Sequence, residues 1–83
     1  MFSELKWMEE SMKEIKIHTD YVTLGQFLKI ADIIQSGGEA KPFLSQNDVY
    51  VNGEIDNRRG RKLRDLDVVV VEGKEFRILN ENK

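Results

Sequence analysis

The apolar positions change their period along the chain, and each change predicts a new element. Phe2, Leu5, Met8 and Met12 recur at weak helical spacing. That reads as an N-terminal extension over residues 1–12, a tail or short helix, ahead of a domain over 13–83. Met12 is an alternative natural start. Glu14 to His18 then alternates, with Ile15 and Ile17 on one side, which predicts a short strand. From Leu24 the period turns helical: Leu24, Phe27, Leu28, Ala31 and Ile34 fall on one apolar face. Thr23 and Gln26 form a T-x-x-Q capping box at its start. Ser36-Gly37-Gly38 is expected to stop this helix, since glycine readily takes the left-handed conformation after a last turn.

Ser36 and Glu39 repeat the box pattern ahead of a second apolar stripe, Ala40, Phe43 and Leu44. Pro42 fits only the first turn of a helix, so this helix either starts near Gly38 or bends. Asn47 terminates it, and so few linking residues make a tight helix pair. Beyond Asn47 the period is two, with Val49 and Val51 opposite Tyr50. Asn52-Gly53 predicts a two-residue type I′ hairpin turn. Val68–Val71 and Phe76–Leu79 predict a second hairpin around Gly73. The expected order is a strand, two helices, then short antiparallel strands.

Composition narrows the class. A chain of 83 residues is one domain. It has no cysteine, which excludes disulfides and thiolate metal sites and favours a cytoplasmic protein. No apolar targeting core opens the sequence, and its longest aliphatic run, Val68–Val71, is too short to span a bilayer. Catalytic patterns are equally scarce. His18 is the sole histidine, and Asp20 beside it reads as a turn residue. Gly73-Lys74 lacks the rest of a Walker A loop, and no G-x-S-x-G elbow occurs. The expectation is no enzyme, no metal and no cofactor.

Charge is the one pronounced anomaly. The net charge is −2, yet Arg58, Arg59, Arg61, Lys62 and Arg64 contribute +5 within one segment, leaving −7 on the rest of the chain. A local basic patch on an acidic background suits an oriented contact with a polyanion, although a solvated loop has the same composition. Arginine presents a planar fork of donors that matches phosphate oxygens in pairs. Gly60 lets the backbone of this loop approach closely. Lys29 lies on the polar face of the first helix. Lys41 lies near the start of the second helix, where free N–H groups would also favour an anion.

Read together, "LGQFLKIADIIQSGGEAKPFL", "VYVNGE" and "RRGRKL" resemble the αL RNA-binding motif, the domain named after small-subunit ribosomal protein S-four, in its small YaaA-like form. The similar stretch runs from about Ile15 to Leu79. The resemblance implies an α+β fold in two layers, a helix pair packed on a small, mostly antiparallel sheet. It also implies binding of structured RNA through Lys29, Ser36, Gly37, Gly38, Lys41, Asn52, Gly53, Arg58, Arg59, Arg61 and Lys62. Two positions depart from the family pattern: Leu66-Asp67 stands where a Gly-Asp turn is usual, and Pro42 where an ordinary helix residue is usual.

The function expected is that of a non-catalytic, monomeric protein docking structured RNA, with ribosomal RNA ahead of transfer RNA and ribosomal particles as its setting, away from membranes. The competing expectation is a protein–protein interaction module whose basic loop meets an acidic partner.

Overall fold

The computed structural model describes residues 12–82. Strand β1 (Met12–Ile17) is followed by β2 (Val22–Thr23), helix α1 (Leu24–Ile30), a 3₁₀ turn (Gly37–Glu39) and helix α2 (Ala40–Gln46). Strands β3 (Val49–Val51), β4 (Glu54–Ile55), β5 (Lys62–Leu63), β6 (Val68–Val71) and β7 (Lys74–Asn80) complete the domain. The helix-like spacing of Phe2, Leu5 and Met8 lies outside the described residues.

The main sheet has five strands in the order β1-β7-β6-β3-β4. All its pairs are antiparallel except β1 with β7, which run parallel, Ile15 opposite Ile78. The short alternation around Ile15 and Ile17 therefore does become a strand. It returns to the last strand of the chain instead of starting a meander. β2 and β5 form a separate two-stranded ribbon, which was not expected. The alternation it rests on, Val22 and Leu63 inward, covers only two residues on each strand.

Both hairpin turns form as their chemistry demands. Asn52 and Gly53 have φ of 52° and 88°, and Glu72 and Gly73 have φ of 54° and 75°, so both central residues of each turn are left-handed. Alternation then fixes the faces. Val49, Val51, Val69, Val71, Phe76 and Ile78 are buried toward the helices. Tyr50 points away and stays partly exposed. From the helical layer come Leu24, Phe27, Leu28, Ala40 and Leu44. Phe27 and Phe76 join the layers edge to face, with ring centroids 5.2 Å apart at 83°, a geometry worth about 1 kcal/mol beyond the area it buries.

Helix α1 ends earlier than its apolar period suggests. The left-handed residue is Asp32, with φ 64°, and neither Gly37 nor Gly38 has positive φ. The Asp32 N–H donates to Lys29 O (3.0 Å) and the Ile33 N–H to Leu28 O (2.9 Å), the paired bonds of a Schellman motif. Asp tolerates this conformation better than most residues, so the chain turns before the glycines. Ile34 still reaches the core, but from the connection and not from a helix face.

The expected second capping box is also absent. The Ser36 side chain makes no cap bond to the backbone. Its hydroxyl lies 3.4 Å from Glu39 Oε2, while the Gln35 N–H donates to Glu39 Oε1 (3.3 Å). A 3₁₀ turn takes up this segment, and α2 begins at Ala40. Pro42 thus falls in the first turn, where its missing N–H has no intrahelical partner to lose.

Candidate nucleic-acid interface

The basic loop is built onto the start of α1. The first donors of a helix have no partner within it. Here the N–H of Leu24 donates to Arg61 O (2.7 Å) and that of Gly25 to Arg59 O (2.9 Å). The other two are satisfied by the expected capping box, Gln26 N–H to Thr23 Oγ1 (3.2 Å) and Thr23 N–H to Gln26 Oε1 (2.9 Å). Carbonyls from Arg59 and Arg61 therefore complete the helix cap and fix the loop against α1. Gly25 eases this approach. A Cβ there would stand 3.2 Å from Arg59 Cγ, 3.4 Å from Arg59 O and 3.5 Å from the Ala40 Cβ.

Asp56 orders the loop from the other side. It is 8% exposed. Its Oδ1 accepts the Arg58 N–H (3.0 Å) and Arg58 Nε (3.0 Å), and its Oδ2 accepts Arg58 Nη2 (2.8 Å) and Arg61 Nη1 (2.9 Å). These bonds, those of the Arg58 side chain first, hold the Asp56 carboxyl well below the usual carboxylate range despite its burial. The same pairing raises the pKa of Arg58. Sequence reasoning passed over Asp56. The available signal was its position two residues before Arg58, because Asp side chains commonly accept the N–H two residues on.

The expected contact residues separate into groups. Lys41 and Arg59 meet in a concavity of about 370 Å³ with Leu44, Ser45 and Asn57. Among the described residues neither has a side-chain hydrogen-bond or ion-pair partner. Arg58, Gly60, Arg61 and Lys62 line a neighbouring concavity of about 430 Å³, where Asp56 already holds both arginines. Lys62 also stands over the Tyr21 ring, 4.9 Å from its centroid. Lys29 and Tyr21 both line a third concavity.

Other expected contacts look elsewhere. Asn52 is committed to the fold, its Oδ1 accepting the Val68 N–H (2.9 Å) and its Nδ2 donating to Asp67 Oδ1 (3.1 Å). Gly53 serves the turn beside it. Ser36, Gly37 and Gly38 are exposed in the turn before α2, and a Cβ on either glycine would meet nothing within 4 Å. The start of α2, where an anion site was expected, is that of a seven-residue helix with Glu39 at its N-cap and no side-chain cap bond. The Glu39 carboxylate turns back to the Gln35 N–H and the Ser36 hydroxyl, and a negative charge this close to the helix start weakens its attraction for an anion. Among the described residues no group of three His, Cys, Asp or Glu is disposed to hold a metal. No helix there is long and apolar enough to cross a membrane.

A helix pair over a small, mostly antiparallel sheet, with a cationic loop fastened to the first helix, defines the S4-like class of small α+β domains. The chain belongs to the S4 domain family, whose model matches residues 15–79. It is 61% identical over 67 residues to the "Probable ribosome maturation protein RlbA" of Bacillus subtilis (strain 168), a match spanning 80% of this chain and 94% of that protein.

Proposed function

We propose that this protein binds folded RNA without catalysis during ribosome maturation in the cytoplasm, with ribosomal RNA as its target ahead of transfer RNA, acting as a monomer. The observation that carries this reading is the meeting of Arg59 and Lys41 in one concavity, with Arg59 anchored by its own carbonyl to the start of α1. Two exposed cations from different elements, held on a rigid base and free of acidic partners among the described residues, suit the oxygens of one phosphate backbone. Arg58 and Arg61 act mainly through Asp56, shaping the loop and adding a weaker field. Such contacts position RNA and read its shape more than its sequence. The family and the printed name of the Bacillus relative support the setting.

The test is salt-dependent binding to RNA fragments from purified ribosomal subunits. If about five phosphates are neutralised, log K falls against log salt with a slope of roughly −3.5 to −4.5. The double variant Lys41→Ala with Arg59→Ala should make that slope shallower by about 1.4–1.8 while circular dichroism stays unchanged. Undiminished RNA affinity in the double variant would refute the phosphate contact and favour an acidic protein partner for the loop.

A further inference from the structure

We propose that the outer face of the β2–β5 ribbon is a nucleotide-stacking subsite, where an unpaired base of a bound RNA lies against the Tyr21 ring and its phosphates meet Lys62 and Arg64. This rests on the RNA-binding reading above and extends it from backbone contact to a base. The ribbon register pairs Val22 with Leu63 and Thr23 with Lys62. Val22 and Leu63 are buried, so by alternation Tyr21 and Lys62 emerge on the outward face. Lys62 Nζ stands 4.9 Å and Arg64 Cζ 5.5 Å from the ring centroid. The ring is not consumed by packing, for Tyr21 remains 39% exposed.

Tyr21 also lines a concavity of about 820 Å³, with Asp20, Val22, Gln26, Lys29 and Ile30. That volume is in the range of small-molecule sites, which run to roughly 1,000 Å³. Val22 and Ile30 supply apolar surface, and Ile30 is half exposed. Lys29 adds a third cation at the rim. Asp20 offers an acceptor for an exocyclic amino group such as cytosine N4. The charge favours a nucleotide as the occupant, since two cations stand over one aromatic ring and a third lines the same concavity, on a chain of net charge −2. Continuity favours it too, because Lys62 belongs both to this face and to the basic loop. A paired helix keeps its base faces stacked inside, so an exposed ring here matches a splayed-out base.

The experiment uses the full chain and two RNA hairpins, identical except for one unpaired 2-aminopurine, at low salt. The bulged hairpin should bind roughly tenfold more tightly, with its fluorescence quenched by stacking. Tyr21→Leu should remove both the preference and the quenching while leaving affinity for the paired hairpin within roughly twofold, since one base–aromatic contact is lost and the phosphate contacts remain. Tyr21→Phe should preserve both. Equal binding of the two hairpins by the unsubstituted protein, or quenching that survives Tyr21→Leu, overturns the subsite while leaving the RNA-binding reading standing. Binding of neither hairpin overturns that reading itself, and the subsite with it.

Discussion

Asp56 holds Arg58 at three points: Oδ1 accepts the Arg58 backbone N–H and Nε, each at 3.0 Å, and Oδ2 accepts Nη2 at 2.8 Å. An arginine that looks like a free phosphate clamp in the sequence is thus also a structural member of its own loop, although its side chain remains 74% exposed. Replacing the acceptor should be costly, because an amide in place of the carboxylate turns a donor toward donors. Asp56→Asn is expected to lower stability by about 2 kcal/mol, read from urea denaturation. A loss under about 0.5 kcal/mol, the level of an ordinary surface change, would show that the loop keeps its shape without this residue.

The same pairing makes a signed statement about pH. The folded Asp56 carboxyl is depressed, whereas the unfolded chain protonates it near the ordinary aspartate value of about 3.9. Its stabilising contribution is therefore fully present above about pH 5. It declines as pH falls below about 4, where the unfolded state takes up a proton that the folded state refuses. Urea midpoints measured from about pH 6 down to pH 2.5 should show this acid limb, and Asp56→Asn should flatten it. An unchanged limb in the variant would assign the acid sensitivity to other carboxylates.

Three glycines should respond in opposite ways. Gly25→Ala brings a Cβ to 3.2 Å from Arg59 Cγ and 3.4 Å from Arg59 O, so the Arg59 side chain must give by a few tenths of an ångström. RNA affinity should drop several-fold, while better helix propensity, about 1 kcal/mol, offsets part of the strain. Gly37→Ala and Gly38→Ala meet no atom within 4 Å and involve no positive φ. Thermal unfolding should show both variants unchanged or stabilised by up to about 1 kcal/mol. A fall in their RNA affinity would then report a contact with the ligand and not a damaged fold; intact affinity would remove these glycines from the interface.

Leu66 stands in the left-handed region with φ 74°, although its side chain is 62% exposed and contributes little packing. The turn holds because the Leu66 N–H donates to Ile78 O (2.7 Å) and Asp67 Oδ2 accepts the Arg64 N–H (2.7 Å). For an L residue this conformation costs roughly 1–2 kcal/mol. Leu66→Gly should therefore raise stability by about 0.5–1 kcal/mol, after the extra entropy that glycine gives the unfolded chain. A higher urea midpoint at unchanged m-value is the expected result, and a lower midpoint would mean that the exposed leucine contributes packing after all.

Local rules were legible in the sequence wherever a residue acts on its immediate neighbours. The Thr23–Gln26 box, the Asn52-Gly53 and Gly73 turns, and the alternation that buries Val49 and Val51 all formed as their chemistry requires. The αL motif pattern pointed to the right family for the same reason, since its glycines, turns and basic loop are closely spaced. What the sequence left undecided depended on distant partners. Neither the end of α1 at Asp32 nor the parallel docking of β1 on β7 follows from a local period. The division of labour in the basic loop was likewise hidden, because a string of arginines carries no sign of which ones a buried acid will hold. By itself the sequence determined where positive charge is concentrated and which turns shape the chain. Only the tertiary structure decided that Asp56 holds Arg58 and Arg61, because burial brings specific donors and acceptors together across the fold, while Arg59 and Lys41 line one concavity without an acidic partner among the described residues.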